Sequence, residues 1–216
     1  NFNRIKNNYN VFDVSKNPTI LHEINTPLFS ILEYINLLIE NGENFKIKNK
    51  KTDQVHLMLG LKAYDRKNPK NKTLRMLSSV LGAGMSSRLF QKMRADLGIC
   101  YYVHTSVNDF TDHGHFTIGA GVDKSRLNIA VKEIITELKN IRDEKISPEE
   151  LQKAKDYMIG GMYLGLESSS SLANFYGAQE ITREKIKTPE EVERELRKIT
   201  AADIQKLAKS MELIRI

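Results

Sequence analysis

The chain has 216 residues, 40% of them hydrophobic and 28% charged, the composition of an ordinary globular protein with room for a sizeable core. No apolar run approaches the roughly 20 residues that a membrane span needs, and the single cysteine, Cys100, excludes an internal disulfide framework. The net charge of +6 is uneven: between Lys46 and Arg75 ten Lys/Arg stand against Asp53 and Asp65, a local excess of eight.

Such a basic segment could attract nucleic acid or acidic peptides. It also reads as a solvated edge flanking a strand, and no aromatic platform interleaves with its lysines, so no nucleic-acid partner and no membrane partner are expected. The chain opens on Asn1, with no initiator Met and no basic-then-apolar leader, as a processed or trimmed piece would. One unpaired cysteine favours a reducing compartment, and the cytoplasm is the expected location.

Residues 1–25 are Asn-rich and carry no sustained period, which reads as linker. Thr26–Pro27 offers a helix start, followed by Leu28, Ile31, Ile35, Leu38 and Ile39 at helical spacing and a stop at Gly42. Residues 1–45 are therefore assigned to a connecting segment with one helix, and residues 46–216 to a folded domain. Val55, Leu57, Leu59 and Leu61 alternate with polar or small residues as in a strand. Helices are predicted from about Lys72 to Leu81, ending at Gly82, and from about Ser86 to Leu97, ending at Gly98, the second with Leu89, Met93 and Leu97 on one face. Strands Cys100–Val107 and His115–Val122 follow, joined by the polar loop Asn108–Gly114.

The last 90 residues read as helical. Leu127, Val131, Ile134, Leu138 and Ile141 mark one amphipathic helix, and Ser147-Pro-Glu-Glu places a capping box before a helix that runs to about Leu166. Thr188-Pro-Glu-Glu and Thr200-Ala-Ala-Asp repeat the start signal, and Glu212–Ile216 looks like the lead-in to a strand. Hairpin-joined strands with helices gathered elsewhere define an α+β fold: a two-layer, mostly antiparallel sheet covered by helices.

Most candidates for chemistry have bland readings. His113-x-His115 beside Asp112 has the spacing of metal ligands but sits in a polar turn with no second cluster. His22-Glu23 has Thr26 where a zinc-binding helix needs its second His, and no Glu-His dipeptide occurs, so neither orientation of the helical zinc motif is present. Cys100 could pair with His104, four residues on and on the same strand face, but a small buried strand residue is the simpler reading. Gly82-Ala83-Gly84 lacks the Lys and spacing of a phosphate loop and reads as a helix–helix turn.

The most informative stretch runs from Leu81 to Val103. Arg94 sits near the end of a helix that Gly98 breaks, and Tyr101 starts the returning strand, so the reversal can bring a guanidinium and a phenol to one rim. Together they suit a peptide carbonyl or a developing oxyanion. The alternative leaves Arg94 on a solvated helix face and Tyr101 packed on the sheet.

Leu81-Gly-Ala-Gly-Met-Ser-Ser-Arg-Leu-Phe-Gln91, then Arg94, then Gly98-Ile-Cys-Tyr101 resembles the C-terminal half of M16B zinc peptidases, the pitrilysin and mitochondrial-processing-peptidase group. Asp53-Gln-Val-His-Leu57, Gly114-His-Phe-Thr-Ile-Gly119, Ile146-Ser-Pro-Glu-Glu-Leu-Gln-Lys-Ala-Lys155 and Leu166-Glu-Ser168 extend the resemblance over about residues 50–212. It implies one of two similar α+β halves that enclose a chamber. The other half, whether in the same chain or a partner subunit, holds zinc on His-x-x-Glu-His, so no cofactor is expected on this one. It also implies an Arg/Tyr pair for substrate, at Arg94 and Tyr101, with a peptide as substrate, no catalytic residue in this half, and dimer formation left open. Tyr102 falls where the family commonly has a small residue. A structural or scaffold subunit with no working peptidase half is the alternative implication.

Overall fold

The computed structural model describes residues 54–182 and 185–211. The expected segment 1–45 with its helix, and the expected strand lead-in Glu212–Ile216, lie outside the described residues. Three strands, β1 (Gln54–Ala63), β2 (Cys100–Asp109) and β3 (Gly114–Asp123), form an antiparallel sheet in the order β1-β3-β2. Each strand is a few residues longer than the sequence pattern indicates, because β-pairing continues through the polar ends.

Strand alternation sorts the side chains by face. Leu57, Leu59 and Leu61 stand opposite Ala120, Ile118 and Phe116. Val103 and Val107 stand opposite Ala120 and Phe116 from the other side. Phe116, Ile118, Ala120 and Val122 are fully buried. Truncating Phe116 to Ala would cost about 3–5 kcal/mol, a large part of a domain's margin of roughly 5–15 kcal/mol.

Helix α1 (Asn71–Gly82) packs on β2 and also contacts two later helices, so Met76 to Gly82 are buried without a break. Helix α2 (Leu127–Asp143) follows a short 3-10 turn and buries Ala130, Val131, Ile134, Ile135, Leu138 and Ile141, at the spacing expected of an amphipathic helix. Helix α3 (Pro148–Gly165) and the two short helices α5 (Pro189–Lys198) and α6 (Ala201–Ser210) complete the cover. The reciprocal capping boxes form at Thr188 with Glu191 and at Thr200 with Asp203. At Ser147 only half of one forms. Its hydroxyl accepts from the Glu150 N–H at 3.1 Å, but the Glu150 carboxylate is drawn instead to Arg88.

Helix α4 (Ser169–Thr182) lies within the 90 residues read as helical but has no start signal or period of its own in the sequence. Its Ser-rich start is capped by the Ser168 hydroxyl, which accepts from the Ser171 N–H at 3.0 Å, and only Gln179 is buried along it. With no apolar stripe to bury, it shows no helical period to detect. No described helix is long and apolar enough to cross a membrane.

A second difference from the sequence pattern lies after α1. The segment read as a regular helix ending at Leu97 is wound more widely, as a π-helix over Phe90–Asp96. Leu89 and Met93 are buried as expected, but Leu97 is not, at 38% exposure. The wider winding has carried it off the shared face.

Candidate functional site

The route from Arg94 to Tyr101 gathers three backbone irregularities within a dozen residues. The π-wound segment comes first, held to the core by Leu89 and Met93. The Leu97 N–H donates to the Lys92 carbonyl at 3.1 Å, and the Ile99 N–H reaches back to the Met93 carbonyl at 2.9 Å. Gly98 makes this return possible: its φ of 57° lies in the left-handed region that glycine enters at no steric cost. Arg126, at the start of α2, donates from Nη1 to the Gly98 carbonyl at 3.1 Å and tethers the turn from outside.

The third irregularity is a β-bulge. Cys100 pairs with Val122 and Tyr102 with Gly121, which leaves Tyr101 without a cross-strand partner. Tyr101 is 52% exposed, so it is not packed on the sheet. Arg94 is also exposed, and its Nη1 donates to the Cys100 carbonyl at 2.8 Å. The guanidinium therefore rests on the peptide unit that leads into Tyr101, and the structure brings these two residues to one rim. Of the five N–H donors of the fork, this contact uses one.

The bulge also corrects the reading of Cys100 and His104 as residues of one strand face. An extra residue in the strand shifts the alternation by one, so Cys100 is buried and His104 is exposed on the opposite side. Burial pushes the Cys100 thiol above its ordinary value, and the positive charge of Arg94 opposes that shift.

The remaining candidates resolve into structure. His113 bonds Asp112 Oδ1 at 2.7 Å, which holds that carboxyl below its ordinary value. Phe110 stacks with the rings of both His113 and His115, at 4.7 and 5.8 Å between centroids. Among the described residues no three His, Cys, Asp or Glu side chains converge, so the residues do not fit a zinc site. The Gly82–Gly84 stretch is a helix–turn, and a side chain on Gly82 would strike the backbone of Thr105 at 2.8 Å. Within the basic segment, Arg66 and Arg75 both bind Asp109 at the hairpin end and Lys72 binds Glu195. A cleft of about 260 Å³ lies between the loop after α1 and α3, lined by Ser79, Arg88, Glu150 and Tyr157 among others, and includes neither Arg94 nor Tyr101. Arg126 is the site residue that pattern reading misses. Its only signal is a cation placed to meet the free carbonyls of a helix end.

Fold and site together define a class: an α+β domain whose sheet is helix-covered on one face and whose exposed Arg/Tyr pair sits beside a bulged strand. The sequence profile of the peptidase M16 inactive domain matches residues 33–158, and the chain belongs to that family. It is 33% identical over 164 residues to a Bacillus subtilis protein named as an uncharacterized zinc protease, covering 76% of this chain and 40% of that one. It is 28% identical to another so named from Streptomyces coelicolor, covering 75% and 35%. The chain thus spans about 40% or less of the length of these curated relatives. Among solved structures, a conserved protein from Enterococcus faecalis aligns with a TM-score of 0.69 at 25% identity, covering 76% of this chain and 38% of that one. A peptidase M16 inactive domain from Pseudomonas fluorescens shares the fold, with a TM-score of 0.67 at 19% identity over 74% and 38%.

Proposed function

We propose that this chain is the substrate-binding, zinc-free half of an M16-type zinc metalloendopeptidase that acts on peptides or unfolded polypeptides. The observation that carries this reading is the contact of Arg94 with the Cys100 carbonyl, beside an exposed Tyr101 on a bulge. A guanidinium held on one carbonyl keeps its plane fixed and can offer further N–H groups to a peptide backbone. A phenol beside it can donate to a carbonyl oxygen as negative charge develops there. Bulges and π-turns recur at functional sites because they aim side chains that regular structure would not. The zinc chemistry is assigned to the other half, in keeping with the name zinc protease borne by the relatives.

The test uses the complete protein, including the half that makes up the length of its relatives. Arg94→Ala and Tyr101→Phe should each lower turnover of an unfolded polypeptide by about 100- to 1,000-fold, the range for losing one such donor, with zinc content unchanged. Equal turnover in Arg94→Ala and the parent would remove the role given to Arg94. A complete assembly that holds no zinc and cleaves nothing would instead make the chain a scaffold subunit.

A further inference from the structure

The sheet face turned away from the helices carries a row of rings that the Arg94–Tyr101 pair does not account for. His56 on β1 and Tyr102 on β2 have centroids 6.0 Å apart and planes 26° apart, and Tyr102 and His104 follow at 5.7 Å and 29°. The Tyr102 hydroxyl and His56 Nδ1 are hydrogen-bonded at 2.8 Å. Beneath the row lie two glycines of β3. A Cβ on Gly121 would fall 2.4 Å from the Tyr102 ring, and one on Gly119 would fall 2.6 Å from the His104 ring. The rings therefore lie down over the middle strand. Tyr102 remains 39% exposed, and Met58, opposite Gly119 in the register, is 65% exposed.

Charge narrows what such a platform accepts. Strand alternation places Lys62 and His115 on the same face as His56 and His104. The carboxylate at its end, Asp123, is engaged by the N–H and hydroxyl of Ser125. A basic side chain would meet Lys62 and a carboxylate that is already engaged, while an aliphatic one would gain buried area but no stacking. An aromatic side chain gains both, from the rings and from the Met58 thioether. Tyr102 directly follows Tyr101, so the platform begins one residue, about 3.8 Å along the chain, from the proposed backbone-binding pair.

We infer that His56, Tyr102 and His104, seated on Gly119 and Gly121, form a side-chain subsite that selects an aromatic residue of an extended peptide. This rests on the peptide-binding reading of Arg94 and Tyr101. The test titrates the complete protein, other half included and stripped of metal so that no peptide is turned over, with capped nine-residue Gly/Ser peptides whose central residue is Phe, Leu or Lys, following the His56 and His104 Cε1–H resonances by NMR. The Phe peptide should shift the His56 and His104 signals saturably and bind about 5- to 10-fold more tightly than the Leu peptide, with Lys weakest. Tyr102→Ser should bring the Phe/Leu ratio to about 1, and His104→Ser should lower it. Equal binding of Phe and Leu peptides, or a Phe preference that survives Tyr102→Ser, would overturn the subsite. If that equal binding were still weakened by Arg94→Ala, the backbone-binding reading would stand without it. Failure of every peptide to bind would overturn both.

Discussion

Replacing Gly98 by Ala isolates the backbone geometry that separates Arg94 from Tyr101. The native φ is 57°, and nothing lies within 4 Å of an added Cβ, so the cost is conformational and not steric. An L-residue in the left-handed region costs about 1–2 kcal/mol. Loss of glycine's freedom in the unfolded chain returns roughly 0.4–1 kcal/mol, leaving about 1 kcal/mol of net destabilisation. For a chain of this size that corresponds to a Tm lowered by about 2–4 °C. Urea unfolding should show a lower midpoint with an unchanged slope, and Gly98→Asn, which tolerates this region better, should lose less. Relaxation of the substituted residue toward the right-handed region would break the Ile99–Met93 bond and displace Arg94 from the Cys100 carbonyl, so under the proposed function peptide binding should fall as well. A neutral Gly98→Ala, a Gly98→Asn worse than Gly98→Ala, or a loss above about 3 kcal/mol would show that backbone conformation is not what this position supplies.

Three other perturbations probe the frame around the site. Arg88 donates to both Glu150 oxygens at 2.5 and 2.9 Å, with both side chains at 25% exposure or less, so Glu150→Gln should cost about 1–3 kcal/mol in urea unfolding; a neutral result would mean that solvent replaces the bond. The Thr200 hydroxyl and N–H hold the Asp203 carboxyl below its ordinary value. Its contribution to stability is then complete above the ordinary carboxylate value, about 4, and disappears as pH falls through the lower folded value. Asp203→Asn should lower stability at neutral pH and flatten the acid limb of a pH 2–6 series; an unaltered acid limb would refute the assignment. Cys100 is 3% exposed with its thiol raised by burial, so a thiol reagent should label it no faster than the protein opens, with rates that rise with urea. In Arg94→Ala the thiol should move higher still, and rapid labelling of the folded chain would contradict the burial.

What was legible in the sequence followed from short-range periods. The alternation of Val55 to Leu61 gave β1, the three- and four-residue spacing of Leu127 to Ile141 gave α2, and the Thr-x-x-acid starts marked α5 and α6. What escaped has non-local or irregular causes. Ser147 and Glu150 have the letters of a capping box, yet a charged partner 62 residues earlier, Arg88, outcompetes the neutral N–H for the carboxylate. Alternation counted from Cys100 puts His104 on its face, because no letter announces the bulge at Tyr101. The same holds for the π-winding, whose Phe90–Asp96 segment reads like any helix until the Lys92 carbonyl is seen to accept from Leu97, five residues on. His56 and Tyr102 are 46 residues apart and meet only through the glycines of a third strand.

These irregularities share one consequence for Arg94. In a regular helix followed by a regular strand, Tyr101 would be paired with its neighbours across the sheet, and the guanidinium would have no strand carbonyl within reach. The π-turn lengthens the path, Gly98 reverses it, and the bulge turns Tyr101 out of the ladder while the Cys100 carbonyl takes one N–H of Arg94. A side chain as long as arginine loses up to about 2 kcal/mol of rotamer freedom on being fixed. Here part of that loss is met in folding by an internal bond, before any ligand arrives. Under the proposed function this makes the contact more than a cap on a strand end: it is the preorganisation that lets the remaining donors of the fork engage a peptide without ordering the side chain again.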